Sequence, residues 1–97
     1  MKTYEITHET LLNKVQQNLD ACESFNRNIE NALRGFCENA IFSDEHGLIE
    51  SIRYNQQMLK VYAERAAAIL ELVGLLDADN DIINLETLHK LYDKLSA

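Results

Sequence analysis

Proline is absent from this 97-residue chain, and glycine occurs three times. The two strongest helix breakers are therefore almost missing, which permits long uninterrupted helices. Long hydrophobic runs are missing too. The longest uncharged apolar run, Ala66 to Leu70, ends at Glu71, far short of the ~20 apolar residues that span a bilayer. The opening Met1-Lys2-Thr3-Tyr4-Glu5 reaches a carboxylate before any apolar stretch, so no secretory signal is read there.

Basic residues are scarce. Nine Lys and Arg stand against sixteen Asp and Glu, giving a formal net charge of −7 and a sequence pI near 4.8. Such a chain avoids nucleic acid and anionic membrane and is drawn to basic surfaces, although the same charge also serves solubility. No basic patch interleaved with aromatics and no Gly-rich phosphate loop occurs. The two cysteines, Cys22 and Cys37, lack metal-type or redox-type spacing. On one helix, at ~1.5 Å per residue, they stand about 22 Å apart, too far for a bridge. Both are expected as reduced core thiols of a cytoplasmic protein.

What is present is a seven-residue apolar repeat. Hydrophobic residues make up 46% of the chain, too many for a disordered segment. Thr7 is a fitting N-cap, with Ile6 and Leu11 at staple positions. From there Leu12, Leu19, Leu33 and Ala40 share one core position, and Val15, Cys22, Ile29 and Phe36 the other. Gly35 is a candidate early stop. Phe42-Ser43-Asp44-Glu45 reads as a turn and restart. The second repeat runs through Leu48, Ile52, Leu59, Tyr62, Ala66, Ile69, Val73 and Leu76. An acidic break at 77–83 precedes a short amphipathic helix capped by Asn84, with Leu88, Leu91, Tyr92 and Leu95 on its stripe.

The expected fold is all-α and a single domain. It has a helix at about 7–38, a turn at about 39–43, a helix at about 44–76, and a third helix at about 84–96. The first two helices form a long antiparallel hairpin. A chain this short buries only roughly 60–65% of its unfolded surface, and dimerisation into a larger helical bundle is expected to enlarge the core.

The second helix carries a further apolar stripe: Tyr54, Met58, Val61, Ala68, Leu72 and Leu75, broken by Arg65. A helix with two apolar faces needs two partners. A third helix running back from Asn84 covers Leu75, Leu72, Ala68 and up to Arg65. Tyr54, Met58, Val61 and the bordering Arg65 then form a protein interface, either for another protein or for a homodimer. The competing reading is that bending or the N-terminal tail covers them. Asn26 and Asn55 each interrupt a core seam and are expected to face each other and set register.

Other chemistry is weakly supported. Asp77-x-Asp79-x-Asp81 resembles half a calcium loop, but Ile82 and Leu88 stand where Gly and a closing Glu are required. Glu5 with His8 and Glu86 with His89 have di-metal spacing, without the inward Glu residues that such bundles use. His46 reads as a surface residue. No catalytic residue, metal site or cofactor is expected. The acidic residues cluster instead: Asp44, Glu45 and Glu50 at the hairpin turn, and Glu71, Asp77, Asp79 and Asp81 at the other end. Each cluster can steer a basic partner. The leading expectation is a small acidic inhibitor or immunity-type protein that blocks a basic, nucleic-acid-handling surface. The alternative is a structural or regulatory homo-oligomer.

Overall fold

The computed structural model describes residues 7–38, 45–77, 79, 81 and 83–97, with Phe36, Glu38, Glu45 and His46 described by backbone alone. Its elements are α1 (His8–Glu38), α2 (Glu45–Leu72) and α3 (Leu85–Ser96). No strand occurs among the described residues. Ile6, Ala40, Ser43 and Asp44, to which the sequence assigns staple, core, cap and partner-facing roles, lie outside the described residues.

Thr7 opens α1. Its hydroxyl accepts from the Thr10 amide at 3.1 Å and its carbonyl from the Leu11 amide at 3.1 Å. One orphan amide of the first turn is thus satisfied by the capping side chain. Gly35 does not stop the helix, which continues to Glu38. A helix needs a left-handed residue to end on glycine. Among the described residues only Gly74 takes a positive φ.

Gly74 is where α2 ends, at Leu72 rather than near Leu76. With φ at +77°, its amide donates to the Glu71 carbonyl at 3.0 Å. The Leu75 amide reaches back to the Leu70 carbonyl at 3.0 Å. This pair of bonds is the Schellman closure, and it reverses the chain at the helix end. Leu76, expected as the last seam residue of the helix, is instead folded back and buried.

Asn84 caps α3 as its sequence suggests, accepting from the Thr87 amide at 2.8 Å. The direction of α3 differs from expectation. Ile83, Asn84 and Leu85 lie beside Leu59, Lys60 and Ala63, well before the end of α2. The connection from Gly74 therefore runs back along α2, and α3 then travels in the same direction as α2. Tyr92 donates to Gln16 at 3.2 Å and His89 Nε2 lies 3.0 Å from Glu23, so α3 runs antiparallel to α1.

These contacts place α3 in the groove between the hairpin helices. Val15 and Leu19 of α1, Ala66, Ala67 and Leu70 of α2, and Leu88, Leu91 and Leu95 of α3 form one buried cluster with Leu76. Fully burying Val15 or one of the leucines contributes about 1.5–3 kcal/mol. Towards the hairpin turn two helices alone cannot enclose a core. Leu33, a seam position in the repeat, is consequently 47% exposed.

Across the hairpin the register also departs from expectation. Asn55 is 5% exposed and accepts from Asn28 Nδ2 at 3.1 Å, while its own Nδ2 donates to the Ser51 carbonyl at 2.7 Å. Asn26 is not its partner; it reaches Glu30 on its own helix at 3.4 Å. The facing residue lies two positions later because the helix does not fray after Gly35.

Candidate protein interface

The second stripe of α2 is turned away from both neighbouring helices. Tyr54 is 58% exposed and Leu72 is 83% exposed, with Arg65 and Ala68 exposed between them. Met58 and Val61 are half-buried. Positions spaced alternately by three and four residues fall on one line along a helix, so these six side chains form a single row. The third helix does not cover Ala68 or Leu72, contrary to the sequence expectation, because it packs on the Ala63–Ala67 side of α2. Leu75 leaves the row altogether, since the helix stops before it.

The row is anchored to α1 by a column of rings. Tyr62 stacks on Phe25 with centroids 5.6 Å apart. The Arg65 guanidinium lies 4.9 Å above the Tyr62 centroid. This cation–π contact draws the charged head to one side of the row and leaves the aliphatic stem along it. Arg65 thus interrupts the apolar row less than its charge suggests.

The exposed side of α2 between this row and the start of α3 is charged. Arg53 and Lys60 occupy its first half, Glu64 and Glu71 its second, all exposed. Glu50 sits 4.0 Å from Arg53, both widely solvated, a pairing worth little by itself.

On the connection between α2 and α3 the acidic residues hold a turn together. Asp81 accepts from the Asp77 amide at 2.7 Å, and Asp77 Oδ1 accepts from the Asp79 amide at 3.0 Å. Asp side chains bonding nearby amides are a turn device. Asp77, Asp79 and Asp81 remain exposed, as does Glu71 near the end of α2. At the hairpin-turn end, Glu50 is exposed and the side chain of Glu45 lies outside the described residues.

Glu86 and His89 do not converge, and Glu5 lies outside the described residues. Glu86 meets Lys90 at 3.3 Å, while His89 turns to Glu23 on α1. Among the described residues no group of three His, Cys, Asp or Glu is placed to hold a metal. Cys22 is buried and its thiol donates to the Leu59 carbonyl at 3.6 Å. Burial pushes that thiol up from its ordinary pKa, and the neighbouring Glu23 adds to the effect. Cys37 is exposed, so only one of the two thiols belongs to the core. No described helix is long and apolar enough to cross a membrane.

The shape leaves much surface available. The radius of gyration is 16.8 Å, against roughly 12–13 Å for a compact chain of this length. The chain exposes 7190 Å², where a compact protein of its mass exposes roughly 5,700 Å². Fold and surface together define an all-helical protein: a long helix pair braced at one end by a third helix, with one row of α2 left bare. No protein-family model matches the chain, and neither does any curated protein or solved structure.

Proposed function

We propose that this chain is a non-enzymatic protein-binding module whose working surface is the outward row of α2 from Tyr54 to Leu72. The observation that carries this reading is the exposure of an ordered line of apolar side chains, Leu72 at 83% among them. Tyr and Met are favoured where proteins meet, and single exposed leucines elsewhere do not form lines. Asp77 and Asp81 bond amides within their own turn, and His89 meets Glu23 across two helices. We place the protein in the cytoplasm, where Cys22 and Cys37 stay reduced.

Capture from lysate of the source cell tests this. Wild-type chain on a support retains specific protein partners, and Met58→Asp, which plants a charge mid-row, loses them with its helix content intact. Retention of the same partners by both forms overturns the reading.

A second reading uses the acidic residues around the connection between α2 and α3. Glu71, Asp77, Asp79 and Asp81 are each exposed, and no Lys or Arg occurs between Arg65 and Lys90 in the sequence. That field suits a basic partner, as in inhibitors that cover nucleic-acid-handling surfaces, a reading by analogy. Asn at 77, 79 and 81 retains the amide acceptors while removing the charge. Binding that weakens steeply with salt and with these three Asn substitutions supports this second reading. Binding indifferent to both, yet lost in Met58→Asp, supports the apolar row alone.

A further inference from the structure

A trough runs between α1 and α2, and α3 fills only part of it. The seat of α3 is lined by Val15 and Leu19 of α1 and by Ala67 and Leu70 of α2, all buried. Directions around a helix recur after about five turns, or roughly eighteen residues. That distance on from Val15 stands Leu33, and the same distance before Ala67 and Leu70 stand Ile49 and Ile52. These three apolar residues therefore continue the two lines of the trough towards the hairpin turn. None of the described helices covers them: Leu33 and Ile49 are exposed and Ile52 is half-buried. Because α3 begins beside Leu59 and Lys60 and runs away from the hairpin turn, about twelve residues of each hairpin helix lie open here, a length of about 18 Å. The 12-residue α3 has that same length.

Both rims of the open part are basic. Gln16 and Glu23 are the α1 side chains that reach α3, through Tyr92 and His89. Arg27 and Arg34 follow them by about eleven residues, close to three turns, and so stand on the same edge of α1. On the other side Lys60 borders the start of α3, and Arg53 precedes it by one heptad. All four are exposed. Among the described side chains Glu30 stands between the two arginines, where Asn26 donates to it at 3.4 Å. Glu50, 4.0 Å from Arg53, and Glu64, four residues after Lys60, are turned further round α2 from the trough. In a chain of net charge −7, basic residues on both rims of one apolar trough run against the general field.

We propose that the open part of the trough docks an acidic amphipathic helix of another protein, about three turns long, laid in line with α3. Its apolar stripe meets Leu33, Ile49 and Ile52, and its Asp and Glu flanks meet Arg27 and Arg34 on one rim and Arg53 and Lys60 on the other. The seat of α3 shows that this trough accepts a helix of that length with leucines spaced by three and four. Burial of the stripe supplies affinity. The rims supply the choice of partner, since a basic flank meets like charge on both sides. The chain's own short helix carries Lys90 and Lys94 beside Glu86 and Asp93, so α3 of a second copy lacks the acidic flanks that these rims select. The trough lies on a different face of α2 from the Tyr54–Leu72 row, and the proposal does not rest on that row.

Two fluorescent synthetic peptides of about four turns test this against the full-length chain. Both carry leucines spaced by three and four; one has glutamate on each flank and the other has lysine at the same positions. Fluorescence anisotropy reads the dissociation constants. The general field of the chain favours the lysine peptide, so preference for the glutamate peptide reports the local rims. The expected result is binding of the glutamate peptide at least roughly tenfold tighter than the lysine peptide, weakening with salt. Arg27→Glu with Arg34→Glu, both at exposed sites, should reverse or abolish that preference. Leu33→Asp should abolish binding with helix content intact by circular dichroism, and Met58→Asp should leave it unchanged. No binding of the glutamate peptide, equal binding of the two peptides, or indifference to the arginine reversals overturns the proposal. Loss on Met58→Asp but not on Leu33→Asp also overturns it and moves the site to the outward row. Self-association of the chain that Leu33→Asp abolishes, with no peptide bound, gives the trough to a second copy and overturns the acidic helix.

Discussion

Asn28 reaches across the hairpin and donates its side-chain amide to Asn55 at 3.1 Å. Asn55 is the buried polar residue of the described core, and this bond, with its own donation to the Ser51 carbonyl, satisfies it. Asn28→Ala removes the cross-helix donor and is expected to cost about 1 kcal/mol. Asn26→Ala, whose long contact is exposed and local, is expected to change stability by less than about 0.5 kcal/mol. Urea unfolding of the two variants side by side checks the register, and equal losses contradict it.

Gly35 and Gly74 should respond in opposite directions to alanine. Gly35 is inside a continuous helix, and a Cβ there meets nothing within 4 Å. Gly35→Ala is expected to stabilise by about 0.5–1 kcal/mol through helix propensity. Gly74 also has room for a Cβ, but its φ of +77° is strained for any L side chain. Gly74→Ala is expected to destabilise by about 1 kcal/mol or more. Thermal unfolding of both variants decides, with stabilisation at position 74 as the contrary result.

Most of the helices was legible in the sequence because heptads and caps are local signals. Thr7 and Asn84 announce their caps by residue type, and Leu12 to Cys22 announce the seam by spacing. The end of α2 was also written locally, in Gly74, but the apolar Val73, Leu75 and Leu76 continued the repeat and masked it. The path of α3 was not local at all. It depends on the reversal at Gly74 and on the small Ala63, Ala66 and Ala67, which let a third helix approach α2 on one side only. That choice of side left Ala68 and Leu72 bare, so the candidate row extends further than its spacing and the length of α3 implied. The partnership of Asn55 with Asn28 instead of Asn26 likewise depends on where the hairpin turns, which spacing fixes only within a residue or two.

The thiols should separate cleanly. Cys37 is exposed and is expected to react with a disulfide reagent in the native state, whereas Cys22 reacts only on unfolding. Because burial and Glu23 raise the Cys22 pKa, its thiol contributes full stability below the ordinary thiol value of about 8.5. That contribution falls as pH climbs from there through the raised value. Stability measured from pH 7 to 10 should therefore decline more steeply in wild type than in Cys22→Ala, which starts lower but lacks the titration. Parallel slopes, or two thiols reacting at once in the native chain, contradict this placement.

Leu88 marks the brace. It is fully buried where α3 meets the hairpin, and Leu88→Ala is expected to cost about 2–5 kcal/mol. Leu72→Ala, at a residue left almost wholly outside, is expected to cost less than about 0.5 kcal/mol. Chemical denaturation of both separates core leucine from surface leucine.

Photo-crosslinking tests most directly the claim that the outward row of α2 is a docking surface. A benzophenone amino acid replaces Tyr54 in one form and the exposed Gln56, which lies off the row, in another. Irradiation of the chain in its source cell should give a discrete protein adduct from position 54 and none from position 56. Silence at position 54, or equal labelling from both, would contradict the assignment of that row as the place where this protein meets another.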